Sequence, residues 1–432
     1  MKFSIISILA ALLSISSSVA TETETQQEVI LENEIESTNE SICNSTNREC
    51  HSSIPFPVMP QKIKAMLLDN HNLLDPQGEE MLSKLQQMEA TAAFAHARST
   101  FFEHLKGTFQ ILSAWNQPTN IKRAGMIHTG YSGDLFQFFL FDSNKEQDRE
   151  SLRSLIGKEA EELVYYFGTI HRGDLCQFSQ AVGRQVAFPK CDVENITVAH
   201  RGLNEVEVSP QLAAQILMVT IADYLDQMVD TNGWRDHHQH EEGGNKLYPG
   251  NGRPALGFYW FSSVCKAIKP FLEVVPSVFD SCETVITVEN EEIARDAYWK
   301  VTMDEADLEI DTQIELLQQT VELNPFVGEP HLLLSQIHYR QGQYYDAAIQ
   351  AQAALKKFYT LASCWDKRRS FAHWVGYARI MLLRSNRKME GLDSSWPVVD
   401  PEDEKYVNYN DLKLTNLHHF VQEMKEREVE GV

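Results

Sequence analysis

Apolar positions along this chain fall mostly at helical spacing. From Gln61 the run MLSKLQQMEATAAFAHARSTFFEHLKGTFQILSAW repeats them three and four apart over several turns, which predicts helix. GMIHTGYSGDLFQFFLF begins as a helix end punctuated by glycine. LRSLIGKEAEELVYYFGTI predicts an amphipathic helix with Leu152, Leu155, Ile156, Ala160, Leu163 and Phe167 on one face. SPQLAAQILMVTIADYLDQMVD predicts a further helix, with Ser209 as N-cap and Pro210 in its first turn. VAHRGLNEVEV is a short strand candidate, and TNGWRDHHQHEEGGNKLYPGNGRP, polar and rich in glycine, predicts a loop. FYWFSSVCKAIKPFLEVV reads as helix again with a break at Pro270, and LTNLHHFVQEMKEREV as a last helix. The fold class this pattern predicts is all-α.

Between residues 301 and 390 the pattern becomes a pair of helices with small residues at fixed offsets. Leu333, Leu334 and Ile337 fall on one helix, Gly342 at the turn, and Tyr345, Ala347, Ala348, Ala354 and Leu355 on the next. Leu323-Asn324-Pro325 marks the end of a preceding helix. This layout resembles a tetratricopeptide repeat, in which small residues let paired helices approach closely. The resemblance implies a short superhelix whose groove takes a protein or peptide partner, or else packs on the neighbouring domain. In CWDKRRSFAHWVGYARIMLLR, Trp365, Phe371, Trp374, Val375 and Ile380 are expected in the core. Lys367, Arg368 and Arg369 form the most basic cluster of the chain, suited to an anion or to nearby carboxylates.

Charge narrows the partners. The 432 residues carry a formal net charge of −23, and so acidic a surface repels phosphate backbones, which argues against nucleic acid. A local basic pocket for a small phosphate compound is compatible with it. MKFSIISILAALLSISSSVA reads as a secretory signal cleaved after Ala20, and no stretch is long and apolar enough to span a membrane. Residues 21–60 read as an acidic leader without structure. Three glycosylation sequons, at Asn39, Asn44 and Asn195, agree with a secretory route to the ER lumen or the cell exterior. Of seven cysteines, Cys43/Cys50, Cys176/Cys191 and Cys265/Cys282 are near enough in sequence to pair, leaving Cys364 free; buried thiols are the alternative. The expected organisation is signal 1–20, leader 21–60, a helical domain 61–230, loop and connecting helices 231–300, repeat 301–390, and a polar linker with a terminal helix 391–432.

The candidate chemistry lies in the 61–230 helices. FFEHLKGTFQIL carries His104, and IKRAGMIHTGYSGD carries His128. These segments resemble the histidine-bearing helices of HD-superfamily metal-dependent phosphohydrolases. LRSLIGKEAEELVYYFGTI is similar to the following helix of the RelA/SpoT guanosine tetraphosphate hydrolase branch. VTIADYLDQM is similar to the stretch in which that branch keeps its last aspartate. The chain is also similar to an uncharacterised set of HD-like domains with His-Ser or His-Thr ahead of Tyr-x-Gly. The resemblance covers roughly Phe94 to Asp230 and implies metal ligands at His104, His128 and Asp223. Mn, Fe, Zn and Mg all suit such a set. It also implies a nucleotide or other phosphoester as substrate, with Asp134 as general base and Arg172 against a phosphate oxygen.

The chain departs from the HD pattern at Thr129, which stands where a ligating Asp is expected. A neutral hydroxyl is a poorer ligand than a carboxylate, so divalent affinity is expected to fall. Asp134, His171 or Asp174 are candidates to complete the set. Arg172 and Asp174 could equally cap the preceding helix, and His237, His238 and His240 in DHHQHEE fit an exposed loop. Two function classes stay open: a metal-dependent hydrolase, and a non-catalytic scaffold with a degenerate HD site and an interaction groove. An HD-type di-iron oxygenase would need more histidines than this cleft supplies.

Overall fold

The helical spacing is realised as helix. The computed structural model describes residues 53–88, 95–96, 99–132, 140–172, 175, 196–200, 205–228, 253–279, 282–304 and 308–392. Among them the α-helices are α1 (Gln61–Leu67), α2 (Gly78–Gln87), α3 (Phe101–Ala114), α4 (Thr119–Met126), α5 (Glu146–Ile156), α6 (Lys158–Thr169) and α7 (Pro210–Gln227). They continue as α8 (Phe258–Ile268), α9 (Val288–Asp304), α10 (Ile310–Leu323), α11 (Glu329–Arg340), α12 (Tyr344–Leu361) and α13 (Phe371–Met389). The described strands form two small antiparallel pairs: β1 (Ala95–His96) with β2 (Ser99–Thr100), and β3 (Ile196–Ala199) with β4 (Glu205–Val208). The second pair, in the register Ile196 to Val208 and Ala199 to Glu205, realises the VAHRGLNEVEV candidate. The protein is mostly helical, as the pattern predicts.

Two expected helices are interrupted, each for a local reason. The 152–167 face is carried by two helices, because Gly157 between α5 and α6 adopts φ +93°, a conformation that favours glycine. The buried residues expected on the shared face still line up across the break, apart from the half-buried Leu155. The long run from Met81 to Trp115 is likewise divided: α2 ends at Gln87, and α3 starts afresh at Phe101. Thr100 caps α3 by accepting the Glu103 N–H at 3.2 Å. Ser209 does the same for α7 through the Leu212 N–H, with Pro210 at its first turn as expected.

Residues 53–60, the end of the expected leader, carry no helix or strand but are not simply solvated. Ile54 is buried, and its backbone exchanges two hydrogen bonds with the Asn386 side chain on α13, at 3.0 and 2.8 Å. The expected signal, the rest of the leader, the three sequon asparagines, the 236–242 histidines and the terminal helix all lie outside the described residues. So do Cys43, Cys50, Cys176 and Cys191. Cys265 and Cys282 form a disulfide, and Cys364 is free and buried. No helix among the described residues is long and apolar enough to cross a membrane.

One apolar core runs from Ile54 through Leu382, so the N-terminal helices and α9–α13 share it. Phe258, Phe279 and Phe326 meet in its middle, with Phe258 and Phe326 stacked at 5.6 Å between ring centres. Indole donors tie the halves together: Trp115 at the end of α3 donates to the Leu361 carbonyl at 3.2 Å, and Trp365 donates to that of Ala255 at 3.2 Å. Two buried carboxylates serve backbone amides outside the helical ladders. Glu291 on α9 accepts from Gly257, Phe258 and Tyr259 at the start of α8. Glu329 accepts from Trp365 and Asp366 in the segment between α12 and α13. Near the C-terminus, α11 and α12 lie side by side around Gly342, whose φ is +78°. Ala347, Ala348, Ala351 and Ala354 are buried between them and their neighbours, whereas Tyr345 is exposed.

Candidate functional site

Three helices bring the site together. α3 and α4 pack against each other, and α7 lies across both. The approach of α4 to α3 depends on Gly125, where an added Cβ would lie 2.3 Å from Leu112 Cδ1. His104 projects from α3, His128 follows two residues after α4, and Asp223 projects from α7. One ligand atom from each of these lies within 4.8 Å of the others. The three are almost sealed from solvent, at 3%, 1% and 5% exposure.

Each imidazole is oriented through its Nδ1. His104 Nδ1 pairs with Asp226 Oδ2 at 2.8 Å, and His128 Nδ1 with the Gly125 carbonyl at 2.9 Å. A carbonyl only accepts, so the His128 bond puts the proton on Nδ1 and leaves the Nε2 lone pair outward in the neutral ring. Both Nε2 atoms face the same carboxylate oxygen. His104 Nε2 lies 3.2 Å and His128 Nε2 3.5 Å from Asp223 Oδ1. His128 Nε2 is buried without a hydrogen bond. In the neutral tautomer the His128 Nε2 lone pair therefore faces a carboxylate oxygen in a dry interior, and a proton on Nε2 or a shared cation relieves that approach.

The remaining groups brace Asp223. Gln227 Nε2 donates to its Oδ1 at 2.8 Å, and Arg172 Nη1 lies 3.7 Å from its Oδ2. Arg172 is itself buried, 3.4 Å from Thr220 Oγ1, with its guanidinium 4.0 Å above the Phe167 ring. The Phe167 ring in turn packs on His128, 5.2 Å between centres. Burial alone would lower the His104 pKa, but the carboxylates of Asp223 and Asp226 outweigh it and raise it to about 9. Burial likewise opposes charge on Asp223, yet His128, when it carries a proton on Nε2, and His104 hold its pKa well below the usual carboxylate range.

The expected residues therefore divide. His104, His128 and Asp223 converge. Arg172 is beside them, but it faces Asp223 and an aromatic ring where the expectation had it facing a phosphate; its position at the end of α6 turns it inward. His171 is exposed, with its backbone N–H on the Ala199 carbonyl at 2.9 Å, and takes no part in the cluster. Asp134 and Asp174 lie outside the described residues. Thr129 Oγ1 is buried without a hydrogen-bond partner. Asp226, which orients His104, was not anticipated. The signal for it was present: it stands three residues after Asp223, hence on the same face of α7.

Two imidazoles and a carboxylate meeting in the core of a mostly helical protein define a candidate metal centre. Residues 84–172, about a fifth of the chain, match a family described as a domain of unknown function (DUF6817). That stretch includes His104, His128 and Arg172, and it ends before Asp223 and Asp226. No curated protein and no solved structure matches the chain.

Proposed function

We propose that this protein is a metal-dependent hydrolase of the HD kind, with a small phosphate ester or nucleotide as substrate. The observation that carries the reading is the pair of Nε2 atoms converging on one oxygen of Asp223, each ring already anchored through Nδ1. Metal-binding histidines characteristically give their second nitrogen to a carboxylate or a carbonyl, and Asp226 and Gly125 supply one of each. The spacing suits an ion. Bonds of roughly 2.0–2.1 Å put neighbouring ligand atoms about 3.3 Å apart in a tetrahedron and about 2.9 Å apart in an octahedron. The two His–Asp separations, 3.2 and 3.5 Å, are close to the first of these. Two nitrogens and one oxygen suit Zn, Fe or Mn better than Mg, which prefers oxygen alone.

His104, His128 and Asp223 would hold the ion. It would supply Lewis acidity toward a phosphate oxygen and toward water. The chain's own contribution is positioning. Asp226 and the Gly125 carbonyl fix the two rings, and Arg172 and Gln227 fix Asp223. The surrounding core excludes bulk water, which strengthens every charge interaction inside it. His104 must surrender its Nε2 proton to a metal, so uptake competes with protons and strengthens as pH rises toward 9.

A second reading has its own support. His104 between two carboxylates is a satisfied ion-pair cluster in the absence of metal, and a non-catalytic scaffold needs nothing more of it. Metal analysis of the full chain purified without chelator separates the two. The hydrolase reading expects about one transition-metal ion per chain, its loss in His128→Ala, and cleavage of at least one member of a phosphoester panel. Equal trace metal in both proteins, with no cleavage by either, overturns it.

A further inference from the structure

Residues 53–60, SIPFPVMP, run without helix or strand to the start of α1. Prolines at 55, 57 and 60 favour an extended backbone and remove N–H groups, so the segment cannot build a ladder of its own. Pro60, at φ −56° and ψ 138°, has the polyproline conformation. The segment lies instead along the seam of α12 and α13, which pack on each other. Asn386 on α13 takes both backbone polar groups of Ile54. Its Oδ1 accepts the N–H at 3.0 Å, and its Nδ2 donates to the carbonyl at 2.8 Å. Gln352 on α12 donates to the Pro55 carbonyl at 2.8 Å. The Ser53 hydroxyl donates to Glu390, and the Arg379 guanidinium stands 5.3 Å from the Phe56 ring centre.

These contacts are those of a bound peptide rather than of a core strand. Of residues 53–60 only Ile54 is buried; Phe56 and Val58 stay exposed although they are apolar. Side chains of the two helices grip the backbone, while the Ile54 anchor and the Phe56 ring carry the sequence preference. Asn386 argues the same way. Asparagine is a poor helix former, and this one is nearly buried, so losing Ile54 would strip both ends of its amide where little water can replace them. Its donor and acceptor match the N–H and C=O of a single extended residue. The seam also continues beyond the segment. Ile349, one turn before Gln352, and Leu383, one turn from both Arg379 and Asn386, are exposed apolar side chains.

We propose that the α12–α13 seam is a binding site for an extended peptide carrying a branched aliphatic residue, a proline and an aromatic in succession, and that the chain keeps it closed with its own Ile54-Pro55-Phe56. The prolines leave such a peptide extended before it binds, which lowers the cost of ordering it. Tethering favours the chain's own segment. Pro60 leads directly into α1, whose Ile63, Ala65 and Met66 are buried, so the segment is held near the seam at an effective concentration on the order of millimolar. A partner peptide must outcompete that concentration with the same chemistry. The seam shares no residue with the candidate metal centre and does not depend on the hydrolase reading.

Two measurements on the full chain test it. In the native protein, hydrogen exchange should release the Ile54 amide through a local opening, at least about a hundredfold faster than the amide of the buried Leu382 in α13. Exchange of both at one rate, by global unfolding alone, would make the segment a fixed part of the fold and overturn the proposal. In the second, Ile54→Asp unseats the segment by placing a charge where the anchor was buried. A fluorescein-labelled peptide of residues 53–60, followed by anisotropy, should then bind one per chain, at least about tenfold tighter than it binds the native protein. Adding Asn386→Ala should weaken that binding about tenfold or more, the loss of two neutral hydrogen bonds. Ile54→Ala, which removes the anchor without adding charge, takes the place of Ile54→Asp if that variant does not fold, with the same expectations. No saturable binding at millimolar peptide, or binding that Asn386→Ala leaves unchanged, overturns the proposal.

Discussion

Gly107→Ala is the sharpest perturbation of the His104 arrangement, because it changes one methyl group and touches neither histidine. A Cβ at position 107 would lie 2.0 Å from Asp226 Oδ1 and 2.7 Å from its Cγ, so the carboxylate must move. Moving it breaks the 2.8 Å bond to His104 Nδ1. A hydrogen bond to a charged group contributes about 1.5–3 kcal/mol. Asp226 keeps 24% of its side chain exposed and recovers part of that from water, whereas His104, at 3%, does not. The lower half of the range therefore applies. Against it stands the helix preference for alanine over glycine, about 1 kcal/mol. The net expectation is a destabilisation of about 1 kcal/mol, read by urea unfolding. Two further readouts separate this from ordinary overpacking. The His104 pKa, followed by NMR, should fall from about 9 as Asp226 withdraws. Zinc affinity should fall about 10–100-fold, the usual cost of losing the group that orients a ligating histidine. A variant at least as stable as the native protein, with the His104 titration unmoved, would refute the role given to Asp226.

Three other outcomes follow from the same physics. Burial raises Glu291 and Glu329 from 4.5 to about 7, so each stabilises the fold while protonated, fully below pH 4.5, and that contribution is lost as pH rises through 7. At 1.36 kcal/mol per pKa unit this is about 3 kcal/mol for each; unfolding at pH 5 and pH 8 should show the decline, and Glu291→Gln should remove about half of it, while an unchanged slope counts against the assignment. Removing the Cys265–Cys282 disulfide by double alanine substitution should cost about 3 kcal/mol, since it closes a loop of 17 residues; denaturant midpoints measure it, and an unchanged midpoint refutes it. Thr129→Asp should raise divalent-metal affinity by at least about tenfold, the effect of adding a carboxylate ligand, and calorimetry showing equal or weaker binding would remove Thr129 from any account of the site.

Local chemistry was the legible part of this fold. Ser209-Pro210 announced the start of α7, Pro270 the break after α8, and Gly342 the turn before α12, because each residue type has a narrow backbone repertoire. Gly157 was less legible. The apolar face of α5 continues into α6, and periodicity cannot show that a glycine within it has taken φ +93°. Thr100 was hidden in the same way by apolar positions on both sides. At the site, His104, His128 and Asp223 could be placed by resemblance, yet Asp226 required knowledge of which face of α7 meets α3. The Lys367–Arg369 cluster was visible as charge but not as the neighbour of Asp226 across one cleft, since some 140 residues separate them and only the packed core brings them together.

Thr129 and Asp226 together give the site its particular character. On the HD reading proposed above, the residue after the second histidine would add negative charge to the ligand set. Here that charge is missing, and a carboxylate appears behind His104 instead. Asp226 does not face the shared point between the Nε2 atoms; it makes His104 a more basic imidazole by accepting from Nδ1. Arg172, 3.7 Å from Asp223, works in the other direction by drawing on the one carboxylate that would face the ion. The local charges of His104 as imidazolium, Arg172, Asp223 and Asp226 then sum to zero without metal. A divalent ion must displace the His104 proton to enter, so the cluster exchanges one positive charge for two. Affinity should accordingly be modest near neutral pH and steeply pH-dependent, with one proton released per ion bound by this residue. Proton release measured by calorimetry in buffers of different ionisation enthalpy reads that number directly. A value near zero would mean that His104 binds no metal through Nε2, and would leave the cluster as an ion-paired core.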